Sequence, residues 1–142
     1  MIRQFIENDL TAVMKIWLDT NMTAHHFISK EYWSSHYAMV KEMLPQAELY
    51  VYEDDKTHQI VGFIGLIHDY IAGIFVKEIV QSNGIGQQLL NYAKELKPNM
   101  RLNVYQKNTR AISFYQREQF VIQSETIDDT THEKELIMVW HK

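Results

Sequence analysis

The chain contains no cysteine and only two prolines and five glycines in 142 residues. Without thiols there is no disulfide framework, no cysteine nucleophile and no thiolate ligand for a metal, which fits a reducing cytoplasm. Both prolines, Pro45 and Pro98, fall where helices are expected to stop, so no proline-rich linker divides the chain. No apolar run approaches the roughly 18 residues that span a bilayer. The first residues, Met1-Ile2-Arg3-Gln4-Phe5, lack the apolar core of a secretory leader. Excess positive charge is missing as well: 14 Lys+Arg against 18 Asp+Glu give −4. No Lys/Arg cluster offers the basic face a nucleic acid requires. Seven histidines are scattered without H-E-x-x-H or Cys/His spacing, so no metal site is expected.

What is present is core material. With 46% apolar and 12% aromatic residues, positions 1–142 read as one domain around a single sizeable core. Ile2–Phe5 reads as a short strand. Leu10, Val13, Met14, Trp17 and Leu18 then recur at helical spacing, with Asn8 or Asp9 as the cap. A second helix opens at Ser29, carries Trp33, Tyr37, Val40 and Leu44 on one face, and ends at Pro45. Strands follow over Glu48–Glu53, Gln59–Ile67 and Tyr70–Val76, the first two joined by the turn Asp54-Asp55-Lys56-Thr57. The pattern then alternates. A helix over Gly84–Leu96 buries Ile85, Leu89, Ala93 and Leu96, a strand covers Arg101–Tyr105 and a helix Thr109–Glu118. Strands Phe120–Ile127 and Leu136–Trp140 close the chain. A meander followed by a βαβ crossover predicts an α/β fold: one mixed sheet of about seven strands, with about four helices on both faces.

Two of the few glycines stand in one hexapeptide, Gln81-Ser82-Asn83-Gly84-Ile85-Gly86, between a strand and a helix. That order puts free backbone N–H groups at the positive end of a helix dipole, where phosphate oxygens bind. A Walker loop needs four residues between its glycines and then Lys-Ser/Thr, which are absent. The dinucleotide fingerprint G-x-G-x-x-G fails because position 89 is Leu. What remains is Q-x-x-G-x-G. Downstream stands Asn108-Thr109-Arg110-Ala111-Ile112-Ser113-Phe114-Tyr115, then Phe120.

With these two motifs in this order, the chain resembles the GCN5-related N-acetyltransferases (GNAT) over nearly all of its length. Leu102-Asn103-Val104-Tyr105-Gln106-Lys107-Asn108 and His25-His26-Phe27 are similar to a bacterial subgroup that includes protein-lysine acetyltransferases. The resemblance implies a single-domain GNAT fold with two parallel strands splayed at an acetyl-coenzyme A slot. It implies that amides of Gln81, Ser82, Asn83, Gly84, Ile85, Gly86 and Gln87 hold the pyrophosphate. The pantetheine would lie along Ile74, Phe75 and Val76, with Asn108 beside it. The amide of Val76 would polarise the acetyl carbonyl, and Tyr115 would protonate the departing thiolate. Asn103 stands where relatives carry a glutamate base. His68 is then the candidate base, with Glu53 and His25 behind it.

The implied reaction is direct attack by a primary amine in a ternary complex, without metal, nucleic acid or membrane. The acceptor is a protein lysine, or a small amine such as a polyamine or aminoglycoside. The acidic residues Asp128, Asp129, Glu133 and Glu135 near the pocket rim suit a cation. Asn103 also motivates another reading, a non-catalytic acyl-coenzyme A sensor. The protein is expected in a bacterial cytoplasm, as monomer or homodimer. Two departures matter: Lys77-Glu78 replaces the frequent x-Pro after Val76, and Gln119 replaces the Gly usual before Phe120. The second predicts that the last helix ends without a left-handed glycine.

Overall fold

The computed structural model describes residues Met1–Lys142. The elements are β1 (Ile2–Gln4), α1 (Leu10–Ala24), α2 (Lys30–Met43), β2 (Glu48–Glu53), β3 (Ile60–Ile67), β4 (Tyr70–Val76) and α3 (Ile85–Leu96). They continue with β5 (Asn99–Tyr105), α4 (Thr109–Arg117), β6 (Val121–Ile127) and β7 (Lys134–His141). The strands form one sheet in the order β1-β2-β3-β4-β5-β7-β6. Every neighbouring pair is antiparallel except β4 and β5. This is the mixed α/β sheet that the sequence pattern predicts.

Helices cover both faces. Val13, Met14, Ile16 and Trp17 of α1 and Trp33 of α2 pack with Leu49, Val51 and Phe63 on one face. Leu89, Leu90 and Ala93 of α3 and Tyr115 of α4 pack with Ile64, Leu66, Leu102 and Met138 on the other. β3 serves both cores, which explains its unbroken apolar run: a strand covered on two sides has no solvent face to encode. On α3 the buried set is Ile85, Leu89, Leu90 and Ala93. Leu96, expected inside, is the last helical residue and is 47% exposed, whereas Leu90 is fully buried.

Asp9 does not cap α1 with its side chain. Its carboxylate instead accepts from the Ile6 N–H at 2.9 Å and from both terminal nitrogens of Arg3 at 2.8 and 3.0 Å. Arg3 also donates to Glu53 at 3.0 Å. A buried acid is thereby neutralised while β1 is tied to β2 and to the start of α1.

α4 ends without a glycine, as expected, yet it keeps a glycine's cap geometry. Gln119 itself adopts the left-handed conformation, φ 77°. The Phe120 N–H donates to the Tyr115 carbonyl at 2.9 Å and the Gln119 N–H to the Gln116 carbonyl at 3.1 Å, the two bonds of a Schellman cap. The accompanying apolar contact is Phe120 against Tyr115, ring centroids 5.6 Å apart. The cap therefore fixes Tyr115, at the cost of a non-glycine residue in a region worth roughly 1–2 kcal/mol of strain. Gln119→Gly should raise stability by about 0.5–1 kcal/mol, the relief of that strain less the added entropy of the unfolded chain. A urea titration at unchanged slope reads the gain directly; an unmoved or lowered midpoint contradicts it.

Candidate active site

The parallel pair is joined at a single register position, Tyr70 opposite Arg101. Beyond it β4 and β5 part. The Lys77 N–H donates to the Val61 carbonyl at 2.8 Å, so antiparallel alternation turns the N–H and C=O groups of Ile74 and Val76 away from β3 and into the gap. An extended amide chain can add there as a pseudo-strand. The gap opens into a cleft of about 1250 Å³ lined by the C-terminal half of α1, the end of β4, the N-terminus of α3 and the start of α4.

The glycine loop forms one end of this cleft. Ser82 and Gly84 both take positive φ, 70° and 81°, and Gly84 is the N-cap of α3 with no side chain over the helix end. Successive amides in such conformations form an anion-binding concavity at a helix dipole's positive end. The loop is braced: the Gln81 side-chain amide donates to the Val76 carbonyl at 2.9 Å, and Arg110 donates to the Ser82 hydroxyl at 3.2 Å. Lys15, Lys77, Lys107, Arg110 and Arg117 line the cleft against Asp19, Glu78 and Glu118, a local excess of positive charge in an acidic protein. The donor set fits a pyrophosphate and a further phosphate.

A chain of hydrogen bonds connects α1 and α4. The Asn108 Oδ1 accepts from the Ala111 N–H at 3.2 Å, capping α4, which turns its Nδ2 toward His25 Nε2 at 3.1 Å. His25 Nδ1 then faces Asn21 Oδ1 at 3.1 Å, and Asn21 donates to the Trp17 carbonyl at 2.9 Å. This order requires the proton on Nδ1 and a neutral imidazole. Burial depresses the His25 pKa from 6.5 to about 4. One hydrogen of Asn108 Nδ2 remains for a ligand amide.

Tyr115 is buried and makes no hydrogen bond within the protein; burial, then the neighbouring Tyr70, pushes its phenol well above 10. Its side chain lines both the cleft and a smaller cavity of about 270 Å³ that shares Ile74, Phe75, His25 and Asn108 with the cleft. The cavity is walled by Trp33, Tyr70 and Tyr105, contains Glu135 and Asn103, and has no Lys or Arg in its lining. The indole N–H of Trp33 is buried without a partner.

Ile74, Phe75, Val76, Gln81, Ser82, Gly84, Ile85, Gly86, Gln87, Asn108 and Tyr115 all line the cleft. Asn83 is exposed on the loop and does not. His68 is not brought to the site. It occupies the β3–β4 turn, exposed, near the Glu48 carboxylate. The turn lies at the opposite end of β4 from Val76, roughly 20 Å away at about 3.3 Å per strand residue. Glu53 is engaged by Arg3 and His58. His25 does reach the cleft, but both ring nitrogens are occupied. Sequence reasoning placed Glu135 only among rim acids; its position beside Asn103 depends on strand register.

A sheet parted after one pair, with a glycine loop and helix dipole at its mouth and a free tyrosine inside, defines an acyl-coenzyme A transferase frame. The acetyltransferase (GNAT) domain family model matches residues 45–122, and the chain belongs to this family of acetyl-coenzyme A-dependent N-acetyltransferases. It is 33% identical over 142 residues to the peptidyl-lysine N-acetyltransferase YiaC of Escherichia coli, covering 99% of this chain and 96% of that protein. It is 30% identical over 129 residues to the peptidyl-lysine N-acetyltransferase YjaB of Salmonella typhimurium, covering 90% and 88%. The solution structure of apo YjaB from Escherichia coli superposes with a TM-score of 0.88 at 26% identity, covering 99% and 96% of the two chains.

Two expectations follow from this geometry. Gly84→Glu places bulk and negative charge at the mouth of the anion loop, in a backbone conformation that side chains resist, and should abolish acetyl-coenzyme A binding in calorimetry; unchanged affinity rejects the loop assignment. Because the folded pKa of His25 lies below its ordinary 6.5, its contribution to stability is complete above pH 6.5 and is lost as pH falls toward 4. That loss is on the order of 3 kcal/mol. His25→Gln cannot titrate, so the stability gap between parent and variant should shift against the parent as pH falls from 6.5 toward 4 in denaturant titrations. A constant gap contradicts the neutral, buried imidazole.

Proposed function

We propose that the protein transfers acetyl from acetyl-coenzyme A to lysine side chains of other proteins, by direct attack within a ternary complex in a bacterial cytoplasm. The observation that carries this reading is the cavity beside Tyr115: small, aromatic-walled, free of Lys and Arg and containing one carboxylate. Aromatic faces and a carboxylate attract an alkylammonium group. A space of about 270 Å³ suits a single unbranched arm better than the several linked rings of an aminoglycoside. The names of YiaC and YjaB as peptidyl-lysine acetyltransferases support the same acceptor.

In this reading the amides from Ser82 to Gln87 hold the pyrophosphate and the gap-facing groups of Ile74 and Val76 align the pantetheine. The Val76 N–H stabilises the oxyanion that develops on the acetyl carbonyl, an effect typically worth a few kcal/mol. Asn108 supports the pantetheine amides with its remaining hydrogen. Tyr115 supplies the proton that the sulfur needs on leaving. Burial keeps the phenol protonated and leaves its O–H without a protein partner.

Thiol release with acetyl-coenzyme A and a panel of lysine peptides, N-terminal peptides, polyamines and aminoglycosides tests both parts of the proposal. Lysine peptides should be turned over fastest, and activity confined to a small amine overturns the acceptor. With the best acceptor, Tyr115→Phe should lose roughly 10²–10⁴ in turnover. Its affinity for acetyl-coenzyme A and its melting temperature should hardly move, because the ring stays packed against Phe120. Normal turnover at saturating cofactor assigns Tyr115 to the core alone.

A further inference from the structure

The strand register brings one more carboxylate to the chemistry. Glu135 of β7 lies opposite Tyr105 of β5, and Ile137 lies opposite Asn103, so Glu135 and Asn103 are diagonal neighbours across the pair. The Asn103 side-chain amide donates to Glu135 Oε1 at 3.4 Å, and the other carboxylate oxygen has no partner in the protein. Two of the other rim acids are spent on structure, and the third, Asp129, is exposed and outside the cavity lining. Glu133 pairs with Lys107 at 3.0 Å. Asp128 accepts from the Tyr105 hydroxyl at 2.9 Å and from the turn amides of Thr130 and Thr131 at 2.8 and 3.2 Å. Glu135 alone is half-buried, without a cationic partner, in the wall of the cavity that Tyr115 also lines.

We infer that Glu135, positioned by Asn103, receives the acceptor's ammonium group and takes its proton, so that the base acts from β7 and not from β5. This inference rests on the N-acetyltransferase reading of the same site. The groups facing Glu135 are consistent with it. Tyr70 stands on β4, Tyr105 on β5, Tyr32 on α2, Asp128 in the β6–β7 turn, His25 at the end of α1 and Tyr115 on α4. None of them is a Lys or Arg, and Arg101 packs against the Tyr70 ring at 4.9 Å, outside the cavity lining. Burial raises the Glu135 pKa above that of an ordinary glutamate against the opposing pull of the Asn103 hydrogen bond, with Asp128 adding to the rise, which makes it a better proton acceptor; burial of the ammonium shifts the partner pKa the opposite way.

The protons balance. Glu135 takes one from the ammonium, and the neutral nitrogen attacks the acetyl carbon, forming the C–N bond while the carbonyl electrons move to oxygen. On collapse the C–S bond breaks, Tyr115 gives its proton to sulfur and regains one from the new amide nitrogen. Glu135 then releases its proton to solvent, the single proton liberated per turnover.

Glu135→Gln keeps the size and the contact with Asn103 but removes the base. With a lysine peptide its kcat/KM should fall roughly 10²–10⁴-fold, and the acidic limb of the wild-type pH profile, which rises as Glu135 ionises, should disappear. Acetyl-coenzyme A affinity should be unchanged, since Glu135 lines the cavity and not the cleft. Glu135→Asp, which keeps the charge on a shorter arm, should retain the acidic limb at an intermediate rate. A structural glutamate would instead lower the melting temperature of Glu135→Gln and leave the shape of the pH profile intact, and that result overturns the assignment. So does a Glu135→Gln rate within threefold of wild type, on the order of experimental scatter for kcat/KM against the loss expected. Absence of amine-dependent thiol release by the wild-type protein rejects the acetyltransferase reading itself, whereas wild-type turnover that Glu135→Gln leaves unimpaired rejects the role of Glu135 alone.

Discussion

Everything in the site depends on β4 and β5 meeting only at Tyr70 and Arg101. A parallel pair that continued would satisfy its own backbone groups and leave no slot. Parting leaves polar groups of Ile74 and Val76 without a strand partner, a cost that a folded protein sustains only where a ligand or solvent can supply the missing bonds. The separation does not split the domain because the flanking ladders are long: β3 pairs with β4 and β5 with β7 over nearly their full lengths. One core cluster also runs beneath the gap, joining Ile71 on β4, Leu102 on β5 and Met138 on β7 through α3 and α4.

Charge is sorted along the cavity that results. Basic side chains line the cleft around the glycine loop, while the smaller cavity beyond Tyr115 has a carboxylate and no cation. The two sides of one tyrosine thereby present opposite charge. The net −4 of the chain reveals nothing of this, because the sum over the surface averages out local fields that low-dielectric clefts concentrate.

The two ends of α4 are held by different means, and each sets a side chain of the cleft lining. At the N-terminus Asn108 caps the helix with its oxygen, which turns its nitrogen to His25 and ties α4 to α1 across the cleft. At the C-terminus the left-handed Gln119 closes the Schellman cap that seats Tyr115 on Phe120. A nine-residue helix is too short to be stable by propensity. Its caps and its buried face against the sheet carry it, so the residues that hold the helix also place Asn108 and Tyr115 in the cleft lining.

The sequence by itself determined what short spacing can encode. Strand patterning bounded β2 and β4 to the residue at Glu48–Glu53 and Tyr70–Val76, helical periodicity found all four helices, and the two motifs marked the cleft lining at Gln81, Ser82, Gly84 to Gln87, Asn108 and Tyr115, with Asn83 the exception. Each of these signals lies within one element or across one turn, where backbone geometry ties sequence distance to spatial distance. Tertiary structure decided the rest. His68 looked close to the slot because it borders a strand that reaches it, yet it sits at the far end of that strand. Gln119 looked like a missing glycine, yet packing of Phe120 on Tyr115 holds it in a glycine's conformation. Asn103 looked like a lost base, yet the antiparallel register sets a carboxylate from 32 residues away beside it. Which side chains meet across strands depends on pairing and register, and these are fixed by burial of the whole sheet, to which no single stretch of sequence has access.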